Sequence, residues 1–163
     1  MRKKSTVEIR EVVNKIKENG RVKIKEGNGS ILELIGLDHW NPETDDYEGI
    51  FLFFDLFQIR TVARPFSDVS LDIVEFATKP TIYHTPVNNT LHNGPIEHGN
   101  IRFSVLRKEF WNKLLFAYAQ PIIVQYSKIQ EFDFQTEEYF PLLSAGTKEM
   151  FLSPEGDVKI HRS

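Results

Sequence analysis

The sequence predicts a single α/β domain built on a mixed parallel and antiparallel sheet. Its 163 residues, with 40% hydrophobic and 26% charged side chains, are ordinary for one globular domain. Apolar runs of strand length, such as "IFLFFD" and "PIIV", alternate with amphipathic helical patterns. The segment "EMFLSPEGDVKIHR" carries a turn signal between two short strands, which predicts an antiparallel hairpin. Strands that alternate with helices while some neighbours are antiparallel indicate a mixed sheet.

The first helix is predicted over "STVEIREVVNKIKENG". Ser5 and Glu8 have the spacing of a capping box, and Gly20 supplies a stop signal. "RVKIK" then alternates polar and apolar residues, as a half-buried strand does, and "ILELIGL" follows as a second strand.

Three further helices are predicted downstream. "SDVSLDIVEFATKP" begins at a Ser67 or Asp68 cap, and its apolar face comprises Val69, Ile73 and Phe76. "RKEFWNKLLFAYA" has a helical apolar stripe, and "TEEYFPLL" indicates a short fourth helix.

The alternation in "NIRFSVL" separates two kinds of side chain. Ile101, Phe103 and Val105 share one face of the predicted strand, whereas Arg102 and Ser104 share the other. An arginine beside a hydroxyl can bind a phosphate or a carboxylate. The same pattern also fits the solvated face of an edge strand, which the residues alone favour.

Composition excludes several kinds of site. The chain has no cysteine, which removes disulfides and thiolate chemistry and fits a cytoplasmic protein. No apolar run reaches the length of a membrane span, so we expect no membrane partner. His84, His92 and His98 lack metal-ligand spacing and are interpreted as surface-loop histidines. No phosphate-binding glycine motif occurs.

Charge is distributed unevenly. Residues 1–25 hold nine Lys or Arg and three Glu, a balance of +6, so the rest carries −9 of the total −3. A basic N-terminal quarter could contact phosphates, although a solvated helix face is the favoured interpretation.

The order of these segments resembles the YrdC-type threonylcarbamoyl-adenylate synthase (YrdC/YciO) family. The likeness is strongest from "SLDIVEFATKPTIYHTPVNN" through "HGNIRFSVLRKEFWNKLLFAYAQPII", and "GDVKIHR" resembles the closing strand of that family. The resemblance implies one YrdC-like domain over 1–163: a twisted mixed sheet with flanking helices around a concave face. It also implies a synthase that joins ATP, threonine and bicarbonate for tRNA modification.

Two departures fall on the family's threonine and phosphate sites. The threonine-binding Pro-Thr-Asp-Thr corresponds to "EGNGS", which leaves Asn28 and Ser30 as degenerate threonine-pocket positions. Segment 38–49 is too short for the family's Lys-x-Arg helix and contains neither Lys nor Arg.

Other positions retain fragments of a nucleotide site. The family's strand arginine falls at Ser104, and Arg102 lies two positions earlier on the same predicted face. The family's hydroxyl-rich run falls on "VQYSK", which ends at Lys128, and one hydroxyl survives at Thr147. The resemblance therefore implies Arg102, Ser104, Lys128 and Thr147 as candidate nucleotide-binding residues, with no catalytic residue and no metal ligand assigned.

The favoured hypothesis is a YrdC-like protein that has lost threonylcarbamoyl-adenylate synthesis and binds a nucleotide, RNA or another ligand. No cofactor is obligatory, and ATP with Mg²⁺ would bind only if the site survives. One alternative is a divergent ATP-dependent adenylate-forming enzyme. A second is a protein-interaction module that uses the basic N-terminus or the "FWNKLLFAY" surface. An open basic concave face would favour ligand binding, and a face filled by Phe and Tyr would favour the module.

Overall fold

A computed structural model describes residues 8–143 and 146–162. Within them, the helices are α1 (Ile9–Asn19), α2 (Asp68–Glu75) and α3 (Glu109–Tyr118). Short 3-10 helices occur at Leu37–His39, Leu56–Thr61 and Pro141–Leu143. The strands are β1 (Arg21–Lys25), β2 (Ile31–Gly36), β3 (Ile50–Phe53), β4 (Thr81–Pro86), β5 (Asn100–Val105), β6 (Ile122–Tyr126), β7 (Phe134–Gln135), β8 (Lys148–Leu152) and β9 (Val158–Arg162). No helix in this part of the chain has the length and apolar character of a membrane span.

The described strands form one mixed sheet in the order β7-β1-β2-β6-β3-β5-β4-β8-β9. The pairs β1–β7, β3–β5 and β4–β8 are parallel, and the other neighbours are antiparallel. The continuous apolar run of β3 lies in the middle of this order, where both faces of a strand are covered. The predicted mixed sheet and the C-terminal hairpin β8–β9 are confirmed.

A hydrophobic cluster covers each face of the sheet. On the helix face, α1 and α3 pack on aliphatic side chains that include Leu34, Leu52 and Val124. On the aromatic face, α2 and the 3-10 helix Leu56–Thr61 pack on a cluster that includes Phe51, Phe53, Phe103 and Tyr83. The alternation of strand side chains accounts for this separation of aliphatic and aromatic residues.

Helix α1 ends where the sequence predicts. Gly20 has φ +83°, and its N–H donates to the Ile16 carbonyl at 2.7 Å, so it closes the helix in the left-handed conformation. Glu8 occupies the N-cap position without a side-chain cap hydrogen bond, and Ser5 of the predicted capping box lies outside the described residues.

Helix α2 begins at the predicted Ser67 cap, but the prediction of its buried face is wrong. Val69 and Phe76 are 58% and 71% exposed, whereas Ser70 and Val74 are buried. The Ser70 hydroxyl lies 2.9 and 2.8 Å from the carbonyl oxygens of residues 153 and 154. Hydrogen bonds to the β8–β9 turn therefore orient this short helix together with Ile73 and Val74, which pack on the aromatic cluster, and only Ile73 of the predicted face is packed there.

The predicted helix over "TEEYFPLL" is also wrong, since the described residues there form only the 3-10 turn Pro141–Leu143. The Phe140 N–H donates to Glu26 Oε1 at 3.0 Å, and Trp111 Nε1 donates to the Tyr139 carbonyl at 3.0 Å. These backbone groups bond to side chains of other elements, so they are not used in a helix.

A buried charge network holds segment 38–49 against the aromatic face. The Asp45 carboxylate accepts two hydrogen bonds from Arg21, at 3.0 and 2.9 Å, and one from the Asn41 N–H at 2.7 Å. Glu33 lies 3.3 Å from the same guanidinium. Burial alone would raise the pKa of Asp45, but the hydrogen bonds and charge of Arg21, together with hydrogen bonds from Asn41 and Gln125, hold this pKa below its ordinary value.

Replacing Gly20 with alanine should destabilise the protein by about 3 kcal/mol, because left-handed strain adds to steric overlap of the new Cβ with the His39 side chain. Gly29→Ala is the matched control: Gly29 also has a positive φ (+96°), but no atom lies within 4 Å of a Cβ there. The control should lose about 1 kcal/mol in urea unfolding. Equal losses would show that His39 does not restrict this position.

Replacing Asp45 with asparagine should cost about 2 kcal/mol at neutral pH, because Arg21 loses a charged, buried partner. A lowered folded-state pKa stabilises the fold above the unfolded pKa of about 4, and this contribution is lost as pH falls through the folded value. The difference in unfolding free energy between wild type and variant should therefore shrink on acidification. Asp46→Asn, at an exposed neighbour, is the control and should change stability little. A difference that stays constant down to acidic pH would contradict the assigned ion pair.

Candidate ligand-binding site

Arg102 lies in a cluster of charged and imidazole side chains on the helix face of β4, β5 and β8. Arg102 and His84 are direct cross-strand partners on β5 and β4. Glu97, Glu149 and His161 complete what is called here the Arg102 cluster. The rings of Phe103 and Tyr83 lie on the opposite face, so they do not occupy the surface around Arg102.

Arg102 and His84 each have a carboxylate partner. Arg102 Nη1 donates to Glu97 Oε1 at 3.0 Å. His84 Nε2 lies 2.5 Å from Glu149 Oε2, and the rings of His84 and His161 contact edge-on with centroids 5.0 Å apart. A cavity of about 110 Å³ adjoins Arg102, His84 and Glu97.

His84 was predicted in a surface loop, and this is wrong. It lies on β4 and is partly buried, because the strand extends through "TIYHTP". Burial lowers the pKa of His84 below its ordinary value, Arg102 and His161 act in the same direction, and Glu149 opposes them. The imidazole is therefore neutral near pH 7 and its Nε2–H can donate to Glu149.

Ser104 and Thr147 lie on the inside of the molecule, and each is 1% exposed. Ser104 pairs in register with Leu52, a member of the aliphatic cluster, and its hydroxyl forms no hydrogen bond with any described residue. The Thr147 hydroxyl donates to the Pro141 carbonyl at 3.3 Å. The sequence predicts that the hydroxyl groups of Ser104 and Thr147 bind a nucleotide, but neither group reaches solvent.

The other sequence-predicted residues lie away from Arg102. Lys128 is exposed in the loop after β6, two strands from β5 in the sheet order. Asn28 and Ser30 form the β1–β2 turn, where Asn28 Oδ1 accepts the Ser30 N–H at 2.9 Å. These side chains shape the end of the β1–β2 hairpin and do not converge on the Arg102 cluster.

The sequence-based prediction did not identify Glu26, the residue that follows β1. It is 2% exposed, and only its Oε1 has a partner among the described residues, the Phe140 N–H. Partial burial, together with the Glu26 charge, raises the pKa of Tyr126 to about 12. The Glu26 carboxylate therefore holds segment 136–143 against the end of β1. No sequence pattern indicated this contact.

Gln125, the first polar residue at the end of the "PIIV" strand, has a structural role. Its Oε1 accepts the Asp46 N–H at 2.8 Å, and its Nε2 donates to Glu33 at 2.9 Å. The side chain thereby joins β6 to segment 38–49. That segment contributes the Asp45 carboxylate, whose Oδ1 lies 3.4 Å from Gln125 Nε2.

The residues present do not fit a magnesium–triphosphate group. Arg102 and Arg162 face the carboxylates of Glu97 and Glu149, and His84 is neutral, so the cluster has no excess of positive charge. Among the described side chains, no group of three or more His, Asp or Glu could hold a metal ion.

No family model matches the sequence, and no curated protein matches it either. Solved structures do match. E. coli YciO superposes with a TM-score of 0.70 at 13% identity, over 95% of this chain and 88% of YciO. P. abyssi Sua5 complexed with L-threonine gives 0.68 at 11% identity, over 96% of this chain and 54% of Sua5. Full-length HypF in its phosphate- and nucleotide-bound form gives 0.65 at 11% identity, over 95% of this chain and 28% of HypF.

The chain thus matches nearly all of YciO but only about half of Sua5 and a smaller part of HypF. At identities this low, the near-complete coverage of this chain demonstrates a shared architecture and nothing beyond it. The protein therefore has the YrdC/YciO fold, a distant version of the domain found in YciO and Sua5.

Proposed function

We propose that this YrdC-fold protein has lost threonylcarbamoyl-adenylate synthesis and binds a nucleotide, free or within RNA, through the Arg102 cluster. The charge balance around Arg102 carries the proposal: the guanidinium is ion-paired with Glu97, and the neutral His84 donates to Glu149. Stabilising a polyphosphate transition state requires unpaired positive charge around several phosphate groups. A cluster whose positive charge is balanced by carboxylates can bind one phosphate, but it cannot stabilise a departing pyrophosphate.

Arg102 retains the capacity for one further anion. A guanidinium has five N–H donors, and the ion pair with Glu97 uses Nη1. The adjoining cavity of about 110 Å³ is far smaller than the roughly 300–1,000 Å³ of sites that enclose a small molecule. It suits a single phosphate while the remainder of the nucleotide lies on the surface.

Two alternatives have narrower support. For an adenylate-forming enzyme, Arg102 is the supporting observation that remains, because the hydroxyls of Ser104 and Thr147 are buried. Phe116 at 66% exposure favours an interaction surface on α3, although Trp111 and Leu114 of the same segment are buried.

Wild-type protein incubated with ATP, threonine and bicarbonate should release no threonine-dependent pyrophosphate, because the cation set for leaving-group stabilisation is absent. Pyrophosphate release would be measured beside an active threonylcarbamoyl-adenylate synthase as the positive control. Release that requires both threonine and bicarbonate would refute the proposed loss of activity.

Arg102→Ala should weaken AMP binding about tenfold or more by calorimetry, since a charge-assisted hydrogen bond contributes about 1.5–3 kcal/mol. Glu97→Gln should strengthen binding, because it removes a competing negative charge from Arg102. Arg10→Ala, on the exposed surface of α1, is the matched control and should bind as wild type does. If the Arg102–Glu97 pair had only a structural role, Arg102→Ala and Glu97→Gln should both weaken AMP binding.

A short single-stranded RNA serves as the second probe with the same variants. Binding that falls with added salt and requires Arg102 supports recognition of a nucleotide within RNA. If AMP binds and RNA does not, the free nucleotide is the ligand. If neither probe binds wild type, or if both bind Arg102→Ala unchanged, the Arg102 cluster is not the site.

A further inference from the structure

A second cavity lies on the aromatic face, on the other side of the sheet from the Arg102 cluster. It opens between the 3-10 helix Leu56–Thr61 and α2, and its volume is about 610 Å³. That volume is within the roughly 300–1,000 Å³ typical of sites for small molecules. Its apolar wall comprises Leu56, Phe57, Ile59, Pro65, Phe66 and Leu71.

The rim of this cavity carries two guanidinium groups. Arg60 and Arg64 are exposed, and neither forms an ion pair with a residue in the described ranges 8–143 and 146–162. The Arg60 guanidinium lies 6.0 Å from the centroid of the Phe57 ring, and Phe57 itself is 74% exposed. An aromatic ring and a cation are thus held together at the entrance.

The two carboxylates at this cavity are placed differently. Asp55 Oδ1 accepts the Gln58 N–H at 3.2 Å and caps the 3-10 helix, so this acceptor is engaged with the backbone. Glu75 is exposed near the end of α2 and forms no ion pair with Arg60 or Arg64. Both arginines therefore keep their donors for an incoming anion.

We propose that this cavity binds a small amphipathic anion, with an aromatic or aliphatic body and one carboxylate, sulfonate or phosphate group. The body packs on Leu56, Phe66 and Leu71, and the anionic group pairs with Arg60 and Arg64. Uncompensated guanidinium groups above an apolar wall select an anion over a cation or a neutral molecule. The assignment is independent of the function proposed for the Arg102 cluster.

Two fluorescent probes separate the apolar and the anionic contributions. Anilinonaphthalene sulfonate has an aromatic body and one sulfonate, and N-phenylnaphthylamine has a similar body without charge. The sulfonate should bind wild type at one site, about tenfold more tightly than the neutral probe. The double variant Arg60→Gln/Arg64→Gln should lose this difference while it keeps the affinity for the neutral probe.

Leu71→Trp, which fills the cavity, should abolish binding of both probes, and Arg10→Gln should change neither. Circular dichroism checks that each variant is folded; the arginine variants alter only exposed side chains and provide the decisive comparison. Sulfonate binding that is unchanged in the double variant, or equal affinity for both probes, overturns the proposal. So does a dimer that the probe dissociates, since the occupant would then be a second copy of the chain.

Discussion

The two-residue period of strand β5 is the constraint on which the rest of the structure depends. β5 lies between β3 and β4, so both of its edges are hydrogen-bonded within the sheet. Phe103 enters the aromatic cluster, where its ring lies 5.1 Å from that of Tyr83. Arg102 must then point to the helix face, opposite His84. A slip of one residue would bury the guanidinium among phenyl rings, which is prohibitively costly for an unpaired charge.

Two buried carboxylates hold irregular segments against the sheet, where a helix or strand would be held by its own backbone hydrogen bonds and packing. Asp45 holds segment 38–49 through Arg21, and Glu26 holds segment 136–143 through the Phe140 N–H. Each acid satisfies backbone or guanidinium donors that would be costly to bury without a partner. On the face that carries Arg102, Glu97 and Glu149 supply the negative charge that balances this guanidinium. This electrostatic setting differs from one that attracts a polyphosphate, and it is the physical basis for proposing binding without adenylate synthesis.

The two candidate sites lie on opposite faces of the sheet and are linked through strand β5. The Phe66 ring, in the wall of the larger cavity, lies 6.1 Å from the Phe103 ring, and Arg102 adjoins Phe103 in sequence. Side chains on a central strand are held more precisely than side chains on loops, so β5 positions Arg102 directly and supports the larger cavity through Phe66. The two sites differ in chemistry. One is a small cavity beside an arginine that is ion-paired with a carboxylate, and the other is a larger apolar cavity beside two arginines that form no ion pair with a described residue.

Local patterns determined much of the architecture. The runs in β3 and β6, the glycine at the end of α1 and the turn of the β8–β9 hairpin are recognisable because hydrophobic period and turn chemistry depend on neighbouring residues. The mixed sheet and its likeness to the YrdC/YciO fold follow from the order of those elements. The placement of Arg102 and Ser104 on the same face of one strand could also be predicted, because the alternation of side chains along a strand is local.

Contacts between distant segments decided the remainder. Ser70 is buried because carbonyl oxygens of residues 153 and 154 lie above it, and no periodicity in α2 encodes that. His84 meets Glu149 only when β8 pairs with β4, a pairing between residues far apart in sequence. The sequence by itself therefore determined which elements form and which faces they present. Tertiary structure alone decided which charges are paired, because pairing across a sheet depends on strand order and register, and these are properties of the folded chain.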